Sequence, residues 1–254
     1  MGTQKKISEI KEEFQQAETT NLPLLIERYR EDARTGVQNL IKKAGKSLEK
    51  LEKEKERMQV LRFYEKKYAD RKFICGIDEA GRGPLAGPVV AGAVILPKDC
   101  EILYINDSKQ LSPKKREELF DVIMEQALAV GVGMTSPQRI DEINILQATY
   151  EAMREAIQNL GVTPDILLND AVRIPEVAIE QVPIIKGDAK SISIGAASII
   201  AKVTRDRLML EYHKLMPEYR FSSNKGYGSK EHIEAIKAYG PSPIHRKSFI
   251  GNFV

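Results

Sequence analysis

The sequence predicts an α/β protein, a mixed sheet with helices packed on its faces, preceded by an all-helical extension. Two observations carry this. Residues 1–72 read as helix throughout and are dense in Lys and Glu. From residue 73, short apolar β-branched runs come first in a pair and then alternate with amphipathic stretches of helical length. The close pair suits an antiparallel ribbon, and the later alternation suits crossover helices over a sheet. The expected division is a basic helical extension over 1–72 and an α/β domain with C-terminal helices over 73–254.

In order, residues 20–23 (TNLP) break the first helix and start another, with Pro23 in a tolerated first-turn position. From Val37 the apolar residues Ile41, Ala44, Leu48, Leu51 and Met58 follow a near-heptad spacing among Lys and Glu. That narrow stripe fits packing on a neighbouring helix, and the Lys-rich face fits a grip on nucleic acid. Strands are expected near 73–79 and 88–96. Ser112 and Pro113 open a helix over about 113–127, as cap and first-turn residue. A small-residue strand (129–134), an amphipathic helix (144–160) ended by Gly161, and two short strands (165–170 and 182–185) follow. A helix over 191–214 and another near 229–239 complete the pattern, and no internal repeat is present.

With 42% hydrophobic and 30% charged residues, 254 residues suffice for a full core. No apolar run approaches the ~20 residues of a membrane span, and the first residues lack the apolar centre of a signal peptide. Cys75 and Cys100 form neither a disulfide framework nor a zinc site. A cytoplasmic protein without a membrane partner is expected. The net charge of +3 hides an asymmetry, because residues 1–72 hold 18 Lys and Arg against 13 Asp and Glu. A basic arm on a slightly acidic body suits an enzyme whose acids bind metal while another part grips a polyanion.

Residues 76–96, GIDEAGRGPLAGPVVAGAVIL, stand out chemically. Asp78 and Glu79 close an apolar strand, where their desolvation needs a partner, and a divalent cation is the usual one. Gly81 and Gly83 permit close approach of the backbone to a ligand, and Arg82 between them offers a planar donor suited to phosphate. A hairpin turn with solvated acids is the plainer alternative. Asp170 and Asp188 repeat the logic, each closing a short apolar strand, and acids at neighbouring strand ends can converge. Adjacent strand residues point to opposite faces, so Asp78 and Glu79 share a metal only if the strand ends or twists at Ala80–Gly81.

The hexapeptide DEAGRG at 78–83 resembles the first active-site motif of ribonuclease HII. GDAKSISIGAASIIAKVTRDR (187–207), the DSK at 107–109, NKGYGS (224–229) and PSPIHR (241–246) resemble further motifs of that family, in order. Gly195 and Ser229 stand where the family more often has Ala and Thr, away from the acids. The resemblance implies a ribonuclease H-like fold with Asp78, Glu79, Asp170 and Asp188 as the catalytic, metal-binding quartet. It implies Gly81, Arg82, Gly83 and Tyr227 as readers of the ribonucleotide. Lys109, Lys190, Lys202 and Lys225 are candidates for phosphate contacts.

The expected activity is two-metal hydrolysis with Mg2+ or Mn2+. The expected substrates are RNA/DNA hybrids and single ribonucleotides embedded in duplex DNA, cut to leave 3′-hydroxyl and 5′-phosphate ends by a monomer. Ribonuclease HIII is the nearest enzyme alternative, but Arg82 between two glycines and Asp188 in place of Glu favour HII. A non-catalytic nucleic-acid-binding module is the alternative of another class. The extension resembles nothing in the family's catalytic core, and its role is read from charge alone.

Overall fold

A computed structural model describes residues 5–252, so the outermost residues of both expected domains, 1–4 and 253–254, lie outside the described part. The chain forms two compact units, residues 1–59 and 60–254. In the first, helices α1 (Ile7–Gln16), α2 (Leu22–Tyr29) and α3 (Thr35–Leu61, which runs on past the unit boundary) are joined by short turns. Ile10, Leu25, Tyr29 and Val37 make its small core, with Phe14, Leu40 and Ile41 against it. Val37, Ala44 and Met58 of the expected stripe are buried. Helical character is not continuous through 72: after α4 (Phe63–Lys67) the backbone turns into the first strand.

The second unit holds a five-stranded sheet of order β3-β2-β1-β4-β5, from strands β1 (Ile74–Ala80), β2 (Val89–Ile95), β3 (Ala129–Thr135), β4 (Ile166–Asp170) and β5 (Glu180–Ile184). β1 and β2 pair antiparallel, as do β2 and β3, whereas β4 and β5 run parallel to β1. The mixed sheet flanked by helices is as expected. Helix α5 (Pro113–Gln126) starts on a Ser112 cap whose oxygen accepts from the Lys115 N–H. The expected helix over 144–160 is α7 (Ile145–Gln158), capped by the Asn144 side chain, and a shorter α6 (Pro137–Ile143) precedes it unannounced. Helices α8 (Ile192–Leu215), α9 (Phe221–Asn224), α10 (Lys230–Tyr239) and α11 (Lys247–Ile250) follow.

The two faces of the sheet follow from strand alternation. Cys75, Ile77 and Leu167 pack with Ala148, Ala152 and Met153 of α7. Ile74, Ile166, Leu168 and Ile184 pack with Ile194 of α8 on the other face. Every residue from 192 to 201 is buried, as an apolar helix pressed onto a sheet must be. The approach is backbone to backbone. A Cβ on Gly76 would stand 2.0 Å from the carbonyl carbon of Ser193, and one on Gly92 would stand 2.5 Å from the Ala197 oxygen. Those two glycines let the start of α8 settle beside Asp78, whose cross-strand partner is Gly92.

Candidate active site

Three carboxylates meet where β1, β4 and the start of α8 come together. Ligand atoms of Asp78, Asp170 and Asp188 all lie within 4.8 Å of one another. Alternation places Asp78 and Asp170 on the α8 face, in line with Ile74, Gly76, Ile166 and Leu168. Asp188 sits in a single 3-10 turn (Gly187–Ala189) between β5 and α8, and the Gly187 N–H donates to Asp170 Oδ1 at 2.7 Å, fixing that turn against β4.

Glu79 is not in this triad. The β1–β2 ladder continues to Ala80, opposite Val90, so the strand neither ends nor reverses its alternation after Asp78. Glu79 instead pairs with Arg82, Nη1 to Oε1 3.3 Å, and lines the cleft beside the triad.

The electrostatics of the cluster are unfavourable without a cation. Burial, then Glu79 and Asp170, push the Asp78 carboxyl well above the usual range, against a hydrogen bond from Ser198. Burial raises Glu79, opposed by Arg82. Burial, Asp107 and Asp170 push Asp188 up to about 6. Burial alone would depress Lys109, yet Asp107, Asp78 and Asp188 hold its ammonium above the ordinary value. Crowded carboxylate oxygens are the ligands a hard divalent cation prefers, and Asp78, Asp170 and Asp188 could hold one.

Beside the carboxylates, the turn at 81–83 is held from beneath. Gly81 has φ +96, and a Cβ there would fall 2.2 Å from Arg205 Nε. Arg246, fully buried, donates to the carbonyls of Gly81 (2.5 Å), Arg82 (2.9 Å) and Gly87 (2.9 Å). Arg205, also fully buried, donates to the carbonyls of Pro88 (3.0 Å), Ala86 (2.9 Å) and Lys225 (2.9 Å). Burial depresses both guanidinium groups, Arg246 to about 9. The carbonyls of the turn thus point inward, while Arg82 and Gly83 are exposed.

One cleft is lined by Glu79, Gly81, Arg82, Gly83, Ser108, Lys109, Ser198, Lys202 and Tyr227. Tyr227, 43% exposed, faces the turn, and a Cβ on Gly83 would lie 4.0 Å from its Cε1. Lys202 Nζ stands 5.8 Å from the Tyr227 ring centre and donates to Asp206 at 2.7 Å. Burial lowers Lys202, against the pull of Asp206. Lys190 and Lys225 do not line this cleft; Lys190 is exposed, and the Lys225 ammonium donates to the Ser222 carbonyl. Arg205 and Arg246, which hold the turn, were not singled out from the sequence, although both stand inside the family motifs. The signal available was their place inside those motifs, since their sequence neighbours are themselves polar or charged.

A mixed sheet of this order, with three carboxylates meeting beside the start of α8, belongs to the ribonuclease H-like class of folds. The family model "Ribonuclease HII" matches residues 75–252, and "Ribonuclease HII N-terminal domain" matches 6–69. The chain belongs to the ribonuclease HII family, endonucleases that hydrolyse RNA in RNA/DNA hybrids. A ribonuclease HII of Lachnoclostridium phytofermentans is 64% identical over 247 residues, 97% of either chain. The crystal structure of ribonuclease H2 from Pyrococcus horikoshii superposes with TM-score 0.58 at 29% identity, covering 71% of this chain and 98% of that one. A Bst ribonuclease HIII solved with Mn2+ matches at TM-score 0.52 and 18% identity, over 66% and 63% of the two chains, which is a likeness of fold. The extension is therefore part of the family's own pattern, which charge alone did not disclose.

Proposed function

We propose that this endonuclease nicks duplex DNA on the 5′ side of a lone ribonucleotide, leaving 3′-hydroxyl and 5′-phosphate ends, besides cutting RNA in hybrids. The observation that carries the reading is the turn at 81–83, fastened by its carbonyls next to the carboxylate triad and faced by Tyr227. A ribose seated against that turn lies beside the triad, and its 2′-hydroxyl is the one group that separates RNA from DNA there. Arg82 supplies a planar donor for an adjacent phosphate, and Lys109 and Lys202 add positive charge along the same cleft. The Tyr227 ring packs on the sugar and holds the strand in register.

Asp78, Asp170 and Asp188, with Glu79 from the adjoining cleft wall, would hold two Mg2+ or Mn2+ ions. Bound there, such ions supply an activated water and neutralise charge on the phosphodiester during in-line displacement. The role of the protein is to orient: α8 and the 3-10 turn fix Asp188 against Asp170, and the Glu79–Arg82 pair keeps both groups at the cleft. Residues 1–72 act as a basic arm on the duplex, ahead of the catalytic domain at 73–254. The protein works as a cytoplasmic monomer in removing ribonucleotides from DNA.

Cleavage of a labelled DNA duplex carrying one ribonucleotide tests this. Products ending in a 3′-hydroxyl on the 5′ side of the ribose are expected. A requirement for several consecutive ribonucleotides would reject the reading.

A further inference from the structure

The motif at 241–246 contributes no group to the triad or to the cleft, yet it reaches both walls of the ribonucleotide pocket. Arg246 binds the carbonyls of Gly81 and Arg82. Its neighbour His245 reaches Tyr227 through a buried partner. His245 Nε2 lies 2.9 Å from His232 Nε2, and His232 Nδ1 lies 2.8 Å from the Tyr227 carbonyl. On the far side, the Ser242 N–H reaches His245 Nδ1 at 2.9 Å, with the Ser242 hydroxyl at 2.7 Å.

The proton positions follow from the two ends. A carbonyl only accepts, so His232 carries its proton on Nδ1 and accepts at Nε2. A backbone N–H only donates, so His245 accepts at Nδ1 and donates from Nε2. The two requirements meet without conflict, giving one continuous run from Ser242 through both imidazoles to Tyr227. Both histidines are buried, and burial keeps them neutral, His245 lowered to about 4. Tyr219 packs 4.9 Å from the His245 ring centre and Phe221 5.3 Å from that of His232, which restrains both rings. A buried polar chain of this kind costs stability relative to an apolar fill and specifies one geometry when every member is satisfied.

We propose that His245 and His232 are positioning residues for ribonucleotide recognition. They set Tyr227 at a fixed distance from the turn at 81–83, which Arg246 of the same segment holds. This rests on the reading of Tyr227 as a contact to the ribonucleotide. The His pair joins a strap to that contact, so its effect should pass through Tyr227 alone.

A double-mutant cycle on the full chain tests it, because residues acting through one another are not additive. His245→Phe keeps the ring packing and removes the donor. On a duplex with one ribonucleotide it should lower kcat about tenfold, with the duplex Kd unchanged. In a Tyr227→Ala background the same substitution should cost nothing further. His245→Gln, whose amide nitrogen can replace the donor Nε2, should restore most of the loss. Should His245→Phe fail to fold, Ser242→Ala takes its place in the cycle, with a smaller loss expected by the same route. Equal losses in both backgrounds would overturn the proposal and leave the pocket reading standing, as would no loss in the first background. Normal junction cleavage by Tyr227→Ala alone would remove the pocket reading and the proposal together.

Discussion

Gly81 has φ +96, and a Cβ there would fall 2.2 Å from Arg205 Nε, so Gly81→Ala combines backbone strain with a collision. A loss of about 1–3 kcal/mol in denaturant unfolding is expected, and an unchanged midpoint would mean the turn is not held as described. Tyr227 presents the opposite case, since half-exposed as it is, its removal should leave the fold intact. Tyr227→Ala should reduce cleavage at a lone ribonucleotide far more than it weakens duplex affinity. Single-turnover rates beside equilibrium binding would show this, and equal losses in both would make the residue a mere affinity contact. The acids at strand ends were legible because charge closing an apolar run is a local anomaly. The facing of Glu79 was not, since it depended on whether the ladder would carry on to Ala80. Nor were the bonds of Arg205 and Arg246, whose carbonyl partners on the 81–88 stretch lie more than 100 residues away in sequence.

At the scale of elements, α8 and α4 are linked by one side chain. Glu65 Oε1 accepts from the Ser191 hydroxyl (2.5 Å) and the Ser193 N–H (3.1 Å), so a residue of α4 caps the helix that follows Asp188. A carboxylate at a helix N-terminus stabilises by roughly 1 kcal/mol. Glu65→Ala should therefore lower Tm by a few degrees, and an unchanged Tm would show the cap contributes nothing. The same cap decides how the arm is tested. Removal of residues 1–59 leaves Glu65 in place, whereas removal through 72 would uncap α8. If the arm grips phosphates, the shortened chain should bind duplex more weakly, and the log–log salt slope should fall by ~0.9 for each phosphate it no longer neutralises. An unchanged slope would assign the arm to packing. The long helices were legible from periodicity, and the antiparallel pairing of β1 with β2 from their closeness in sequence. Short helices α6, α9 and α11 were not, because so few residues carry no period and owe their shape to tertiary packing.

For the whole molecule, acid acts in two opposite directions. His245 titrates in the folded state near 4 against an ordinary 6.5, so between those values the unfolded chain takes a proton that the folded one refuses. Stability due to that pair is present above about 6.5 and is lost as pH falls toward 4. Asp188, raised to about 6 from 3.8, does the reverse: the folded state holds its proton first, and falling pH relieves the crowded carboxylates. The difference between wild type and His245→Phe isolates the first effect, and the variant should lose less stability on acidification. A cation competes with the proton at Asp188, so Mg2+ should raise Tm more at pH 8 than at pH 5.5. A pH-independent gain would place the ion elsewhere.

In the proposed reaction the carboxylates of β1, β4 and the turn before α8 cleave a strand positioned by the turn at 81–83 and Tyr227. Asp170→Asn removes one negative oxygen while preserving size, and Asp170 touches the turn that carries Asp188 through a single backbone bond. The most direct measurement is cleavage of a duplex with one ribonucleotide by wild type and Asp170→Asn at saturating Mg2+, with duplex binding measured in parallel. A rate lower by a factor on the order of 10²–10³ or more is expected, with the dissociation constant nearly unchanged. Cleavage by Asp170→Asn at a rate close to that of wild type would remove these carboxylates from the reaction.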